Sequence, residues 1–393
     1  MAATVATSVR KTYKYRLDPT LAQAQVLEVV LSRCRTLYNV ALEQRKTWWQ
    51  RGQGTGATYY QQKAELPDLK VACPEYTDVH AHVLQDVILR VERAFQAFFR
   101  RVKNGETPGY PRFQGAGRYR SFTIPEYGNG AVLDGGVLSL SKIGRIAIRL
   151  HRPLEGIPKT VTVSREADGW YACFSCAEVP VQALPETGQE TGIDLGLESF
   201  ATLADSTMVY TPRCYRKAEA YLRRCQRRVA RRQKGSHRRR KAVKLLAKAH
   251  LKVKRQRRDF HHKAALALVR QYDTIYYEAL QTANMLRNHH LAKSIADAGW
   301  SAFLAILAFK AAYAGKQAIS VPPAFTSQTC SGPNCGEVVW KGLSVRWHAC
   351  PHCGVSLHRD HNAALNILAR GKQERAEGHS VQALTQPGGA YVV

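Results

Sequence analysis

Four cysteines near the end of the chain form two pairs, Cys330-x4-Cys335 and Cys350-x2-Cys353, with 14 residues between them. Two pairs on two turns match the ligand spacing of a four-thiolate zinc site. Four thiolates close a tetrahedral sphere, so such a zinc is structural. His348 and His352 flank the second pair and are the alternative ligands. Shortly beyond stands Asp360, in HRDHNAALNIL, where an apolar helical pattern begins. Two further acids sit in apolar strand-like runs, Asp194 in GIDLGL and Glu278 in TIYYEAL. A carboxylate among apolar strand residues is costly unless something compensates it. Three such acids can be compensated by shared divalent cations. Two ions about 4 Å apart activate water and stabilise the leaving oxygen in phosphodiester hydrolysis. Hard oxygen ligands select Mg2+ or Mn2+ over zinc. Each acid also has a purely structural reading: a turn contact for Asp194, an arginine partner for Glu278, a helix N-cap for Asp360. Asp205, Asp273 and Asp297 are rival acids. Cys173 and Cys176 lie in an alternating strand with no second cysteine pair, so they read as ordinary thiols.

The third chemical feature is basic. Residues 211–260 contain 21 Lys and Arg against two acids, Glu219 and Asp259. The whole chain of 393 residues carries a formal charge of +28. A charge this large repels itself without a counter-anion, and nucleic acid is the commonest polyanionic partner. The candidate phosphate contacts are Arg223, Arg224, Arg227, Arg231, Arg238, Lys241 and Arg255, with Arg112, Arg118 and Arg120 upstream. Such contacts set affinity and salt dependence, not sequence choice. A membrane is the main rival partner, but the apolar runs look too short to span one. The start, MAATVATSVRK, lacks an apolar signal core. Of ten cysteines only the last four form a pattern, which indicates a reducing compartment.

Local patterns supply the elements that must position these residues. YKYRLDP reads as a strand, and residues 19–105 show helical periodicity. GETPGYPRF ends the helices, and alternation over 106–185 predicts a small antiparallel barrel that strand 1–18 can join. After a linker at 180–190, a strand hairpin leads into a basic helical hairpin over 211–260, with QKGSH as its turn. TIYYEAL and AISVPP are strands on either side of a helix at 291–314. The cysteine module covers 325–354 and is followed by a last helix within 355–378. The tail, 379–393, has the composition of a disordered segment. The fold class is multidomain α/β plus a β-barrel. In an RNase H-like sheet the first strand, the fourth strand and the last helix meet at one edge. The element order over 190–324 and 355–378 fits that arrangement.

The motifs together resemble the TnpB family of RNA-guided DNA endonucleases encoded by insertion sequences. The resemblance rests on YKYRLDPT, GYPRF, GIDLGLESFATLAD, NHHLAKSIADAGW, TSQTC with the later CPHCG, and HRDHNAALNIL. It implies a RuvC-like nuclease domain with Asp194, Glu278 and Asp360 as catalytic, magnesium-binding acids. It also implies a wedge barrel at 1–18 and 106–185, a helical recognition lobe at 19–105, and a target-nucleic-acid-binding zinc ribbon at 325–354. The implied partners are a guide non-coding RNA from the transposon end and double-stranded DNA read beside a short adjacent motif. One or two copies would load on one RNA, in the bacterial cytoplasm. The chain departs from the family pattern in the C-x4-C spacing, in His358 and in Gln114. Two other readings remain open: a non-catalytic regulator of transposition, and an unguided RuvC-like nuclease.

Overall fold

The computed structural model describes residues 7–50, 57–342 and 344–377. The expected disordered tail at 379–393 lies outside the described residues. The chain divides into two compact units, one of Arg10–Val179 and one formed chiefly from Pro180 onward.

The first unit opens with strand β1 (Ser8–Asp18) and continues into helix α1 (Leu21–Gln50). Short helices α2 (Tyr59–Ala64) and α3 (Leu66–Ala72) precede α4 (Ala81–Lys103). Leu27, Val30, Leu31, Cys34, Leu37 and Ala41 recur at helical spacing on α1 and are buried, as are Val83, Val87, Ile88, Val91 and Phe95 on α4. These stripes are what drive the helices together. Arg45 is buried and bridges Gln62, at 2.7 Å, and Glu92, at 2.6 Å. Strands β2 (Ser121–Ile124), β3 (Ala131–Asp134), β4 (Val137–Leu140), β5 (Gly144–Arg149), β6 (Ile157–Glu166) and β7 (Gly169–Pro180) join β1 in one sheet, ordered β2-β6-β7-β1-β5-β4-β3. It curls into a nearly closed antiparallel barrel. Arg90 ties α4 to β2 through Ser121 O and Thr123 Oγ1. The Asn39 side chain both donates to and accepts from the Gln114 main chain, fixing the PRF segment on α1.

Residues 181–185, within the expected linker at 180–190 and at the end of the expected barrel bounds, lie along the second unit, where Gln182 N–H donates to Tyr313 O and Leu184 N–H to Ala314 O. The second unit then builds a sheet from β8 (Glu190–Asp194), β9 (Ser199–Leu203) and β10 (Met208–Tyr210), followed by helices α5 (Cys214–Ala230) and α6 (His237–Gln271). Next come β11 (Thr274–Glu278), helices α7 (Thr282–Met285), α8 (Ala292–Ala298) and α9 (Trp300–Tyr313), and β12 (Gln317–Val321). The sheet order is β10-β9-β8-β11-β12. β8 runs antiparallel to β9 and parallel to β11, which runs parallel to β12. A small hairpin of β13 (Trp347–Ala349) and β14 (Ser356–His358) leads into helix α10 (Arg359–Ala376).

Both sheet faces are covered, which explains the unbroken apolar runs of β8 and β11. Ile193, Ile275 and Tyr277 pack against Ala265 and Val269 of α6 and Phe303 and Leu307 of α9. Tyr276, Ile319 and Val321 pack on the other face against Ile367 of α10. The span 292–313 is long and apolar enough to cross a membrane by composition, contrary to the sequence-based expectation. It is broken at Gly299, with φ of +66°, and Trp300, Phe303 and Leu307 are buried in the protein core.

α10 lies flush on the sheet because two glycines let it. A Cβ on Gly192 would stand 2.2 Å from Ala364 O and 2.6 Å from Leu368 N. One on Gly371 would stand 2.0 Å from the Tyr276 ring. Backbone cannot yield as a side chain can, so Gly192→Ala must push α10 off β8. The expected cost is roughly 2–3 kcal/mol of stability, read as a lower urea midpoint. An unchanged midpoint would mean that α10 is not seated on β8.

Candidate active site

The register of β8 against β11 pairs Ile193 with Tyr277. The next residues, Asp194 and Glu278, end the two strands side by side, with neighbouring strands about 4.8 Å apart. Ile193 and Tyr277 face α6 and α9, so alternation turns both acids toward α10. Asp360 occupies the second position of α10 and is buried. His358 is the N-cap of that helix, its Nδ1 accepting the Asp360 N–H at 3.3 Å. Asp360 is therefore not the cap that its simplest sequence reading allowed.

Burial pushes the Asp194 carboxyl well above the usual carboxylate range, and the charges of Glu278 and Asp360 push it further. Arg359 and the Leu195 N–H act in the opposite direction. Burial also raises Glu278, opposed by the Thr326 hydroxyl, which donates to its Oε1, and by Arg370. The structure thus brings the three sequence-predicted acids into one electrostatic neighbourhood. Their oxygens are less tightly gathered than the cysteine sulfurs, which form the one set of three or more such donors within 4.8 Å among the described residues. Donors divided between two ions about 4 Å apart need not converge on one point.

The cysteine set is compact. Cys330 Sγ lies 3.5 Å from Cys353 Sγ, and Cys335 Sγ 3.7 Å from Cys350 Sγ. Tetrahedral thiolates about 2.3 Å from zinc sit about 3.8 Å apart, so the donors fit that ion. Gly332 N–H donates to Cys330 Sγ at 3.4 Å within the longer knuckle, which the x4 spacing has not opened. The backbone N–H groups of Cys353 and His352 hold Cys350 down to about 6. His348 is buried and pairs through Nδ1 with Lys341. His352 Nδ1 is 4.0 Å from Cys335 Sγ. Neither histidine belongs to the donor set.

The rival acids have other tasks. Asp297 accepts Tyr215 N–H at 2.8 Å and Arg216 N–H at 3.3 Å, at the first turn of α5. Asp273 accepts from Thr187 and Gly188 N–H and pairs with Lys316. Asp205 accepts from Tyr272 OH and Thr207 N–H.

The basic candidates are exposed: Arg112, Arg118 and Arg120 in the first unit, and Arg223, Arg224, Arg227, Arg231, Arg238, Lys241 and Arg255 on the α5–α6 hairpin of the second. Leu222, Ala249 and Val253 close the hairpin on its inner side. Arg224, Arg227, Arg228, Arg231 and Arg232 line one concavity of about 540 Å³. Arg223 is partly engaged by Glu219 at 3.1 Å.

Sequence reasoning passed over the polar residues that hold α10. Asn362 is fully buried, accepting Ser331 N–H at 3.0 Å and donating to Thr329 O at 2.7 Å. Asn366 donates to Thr326 O and Thr329 O. Arg359 N–H donates to Arg346 O. The available signal was the pair of asparagines four apart in an otherwise apolar helical stripe.

Residues 174–289 match the OrfB_IS605 family, described as "Probable transposase", and residues 300–367 match the TNB domain of the Cas12f1-like family. A Streptomyces pristinaespiralis protein named "Putative RNA-guided DNA endonuclease" is 35% identical over 382 residues, 95% of this chain and 92% of that protein. The chain belongs to the TnpB family. The Escherichia coli K12 protein InsQ, similarly named, is 29% identical over 94% of this chain and 94% of its own. A solved structure of the mini-RNA-guided endonuclease CRISPR-Cas_phi3 shares the fold, with a TM-score of 0.51 at 10% identity over 98% of this chain and 94% of that one. Residues 7–54 of this TnpB chain match a model described as a helix-turn-helix domain. Over 7–50 they form β1 and the single helix α1 instead.

The raised acids give this TnpB protein a pH signature. A raised carboxyl contributes stability that is full below its unfolded pKa of about 4 and is lost as pH rises through the folded value. In zinc-containing, magnesium-free buffer the urea midpoint falls as pH rises above about 4. Asp194→Asn flattens that fall and gains on the order of 1–3 kcal/mol at the upper end. A variant no more stable than wild type there would mean that Asp194 is not buried against the other two acids.

Proposed function

We propose that this protein is an RNA-guided, metal-dependent DNA endonuclease of an insertion sequence, with Asp194, Glu278 and Asp360 as its catalytic acids. The observation that carries the reading is the register of β8 against β11 beneath the first turn of α10. It sets buried Asp360 beside half-buried Asp194 and Glu278 at one sheet edge, in a chain whose relatives are named RNA-guided DNA endonucleases. The sheet order, three antiparallel strands and then two parallel ones, supports an RNase H-like, RuvC-type domain.

The three acids would hold Mg2+ or Mn2+ ions, which when bound supply an activated water and stabilise the departing 3′ oxygen. A carboxyl must lose its proton to act as such a ligand, so the raised affinity of Asp194 for its proton couples ion binding to proton release. The Thr326 hydroxyl donates to Oε1 of Glu278. The zinc expected on the four cysteines has no part in the reaction and holds the module that anchors α10.

The guide would be a non-coding RNA from the transposon end, loaded by one or two copies of the protein. Pairing between guide and target carries the sequence, while protein contacts read heteroduplex shape and a short adjacent motif on double-stranded DNA. The exposed arginines of the α5–α6 hairpin and of residues 112–120 supply phosphate contacts. The barrel serves as the wedge and helices α1–α4 as the recognition lobe.

RNA co-purifying from cells carrying the native locus tests guidance directly. One abundant species overlapping the 3′ end of the gene and continuing into flanking DNA is expected, and heterogeneous RNA would remove the guided reading. With that RNA bound, Asp194→Ala, Glu278→Ala or Asp360→Ala lowers target cleavage by roughly a thousandfold, a loss of several kcal/mol. Guide affinity stays unchanged. Undiminished cutting by any of the three would remove that residue from the site. Replacing Arg227 and Arg231 with Gln weakens nucleic-acid binding across all sequences and lowers the salt slope by about 1 for each phosphate no longer neutralised. A slope equal to that of wild type would place the phosphates elsewhere.

A further inference from the structure

We infer that Asn362 is a positioning residue that makes the cysteine module and the carboxylate site one coupled unit. The inference rests on the reading of Asp194, Glu278 and Asp360 as the ion-binding acids. Asn362 stands one half-turn beyond Asp360 on α10 and is 0% exposed. Its amide grips the two residues flanking Cys330, accepting from Ser331 N–H at 3.0 Å and donating to Thr329 O at 2.7 Å. One turn further along, Asn366 donates to Thr329 O at 2.7 Å and to Thr326 O at 2.8 Å. Thr326 in turn donates its hydroxyl to Glu278. Arg359, beside Asp360, donates to Gly342 O at 3.2 Å and to Ser327 Oγ at 3.4 Å.

Segment 326–331 therefore touches Glu278 at one end and carries a zinc-type thiolate at the other. Asn362 joins its middle to the helix that presents Asp360. Thiolates that have lost their ion repel one another, and the knuckle is ordered otherwise by a few short-range backbone hydrogen bonds such as Cys330 N–H to Glu337 O and Cys335 N–H to Gly332 O. Releasing the knuckle frees Thr329 and Ser331 and leaves the buried amide of Asn362 unpaired. That state is costly, so α10 shifts with the segment. Thr326 then leaves Glu278. Coupling of this kind is reciprocal: whatever loosens α10 at Asn362 must also weaken zinc on the cysteines.

Two measurements test this. The first uses wild-type protein and hydrogen exchange before and after zinc is removed with a thiol-compatible chelator. Reduced protection is expected at 326–331 and also at 359–366. A reduction confined to residues 330–357 would overturn the coupling, and this readout does not depend on any nuclease activity. The second uses Asn362→Asp, which keeps the shape and the acceptor but sets a carboxylate oxygen against Thr329 O. Zinc affinity by chelator competition should fall on the order of tenfold. The Mg2+ concentration for half-maximal cleavage should rise, with guide affinity constant. Zinc affinity within twofold of wild type in the folded variant would overturn the assignment. If zinc weakens but wild-type protein never cuts, the coupling stands and the nuclease reading fails.

Discussion

Like charges kept together out of water are the constraint on which the second unit is built. Asp194 lies at the end of a buried strand with Glu278 beside it and Asp360 above, and burial together with those two charges makes Asp194 harder to ionise. No single interaction offsets this. The Leu195 N–H, Arg359, Arg370 and the Thr326 hydroxyl each oppose part of it. The first turn of α10 adds its oriented amides. Under the proposed function, the remaining deficit would give the pocket its affinity for divalent cations. It follows that the scaffold must be rigid, because a sheet edge that could splay would separate the acids and lose that affinity. The absence of a Cβ at Gly192 and Gly371 has this meaning: α10 packs backbone against backbone on β8 and onto the Tyr276 ring, with no side chain between to slide.

The same constraint explains why a cysteine module precedes the last helix. Segment 325–358 has two three-residue strands and exposes Phe325, Trp340 and Trp347. It has too few buried side chains for a core of its own, and four thiolates around one ion supply order that apolar burial cannot. That order is passed on through hydrogen bonds to Asn362, Asn366 and Arg359. A module built around a zinc-type cysteine cluster and a helix held by glycine contacts thus fix Asp360 from two sides.

The parts legible in the sequence were those with a short-range physical signature. Thiolate pairs, strand alternation, helical stripes and the excess of basic residues can each be read within a few tens of residues. The convergence of Asp194, Glu278 and Asp360 could be argued from element order alone, because parallel neighbours set strand ends side by side. What stayed hidden depended on the partner surface. Asn362 looks like any polar residue on a helix until Thr329 and Ser331 are seen beside it. Residues 181–185 read as linker, and the carbonyls of Tyr313 and Ala314 to which they hydrogen-bond lie far away in sequence. The span 292–313 read as one helix, although Gly299 lets the chain turn in a left-handed conformation between two.

Charge ties the two halves of the chemistry together. An acidic pocket repels a nucleic-acid strand, so a protein that must bring phosphodiesters to carboxylates has to offset that repulsion elsewhere. The formal charge of +28 is concentrated on the α5–α6 hairpin, which projects between β10 and β11 of the sheet carrying the acids. Most of its arginines are left to solvent because an apolar seam of Leu222, Ala249 and Val253, with Ala218, Tyr215 and Leu246 packed on it, closes the two helices on each other. Attraction of this sort is indifferent to sequence and screened by salt. It concentrates any nucleic acid near the pocket and cannot choose among targets. Discrimination has to come from a component that reads bases, and in the proposed function base pairing with a bound RNA would provide it beyond the short motif that protein contacts read.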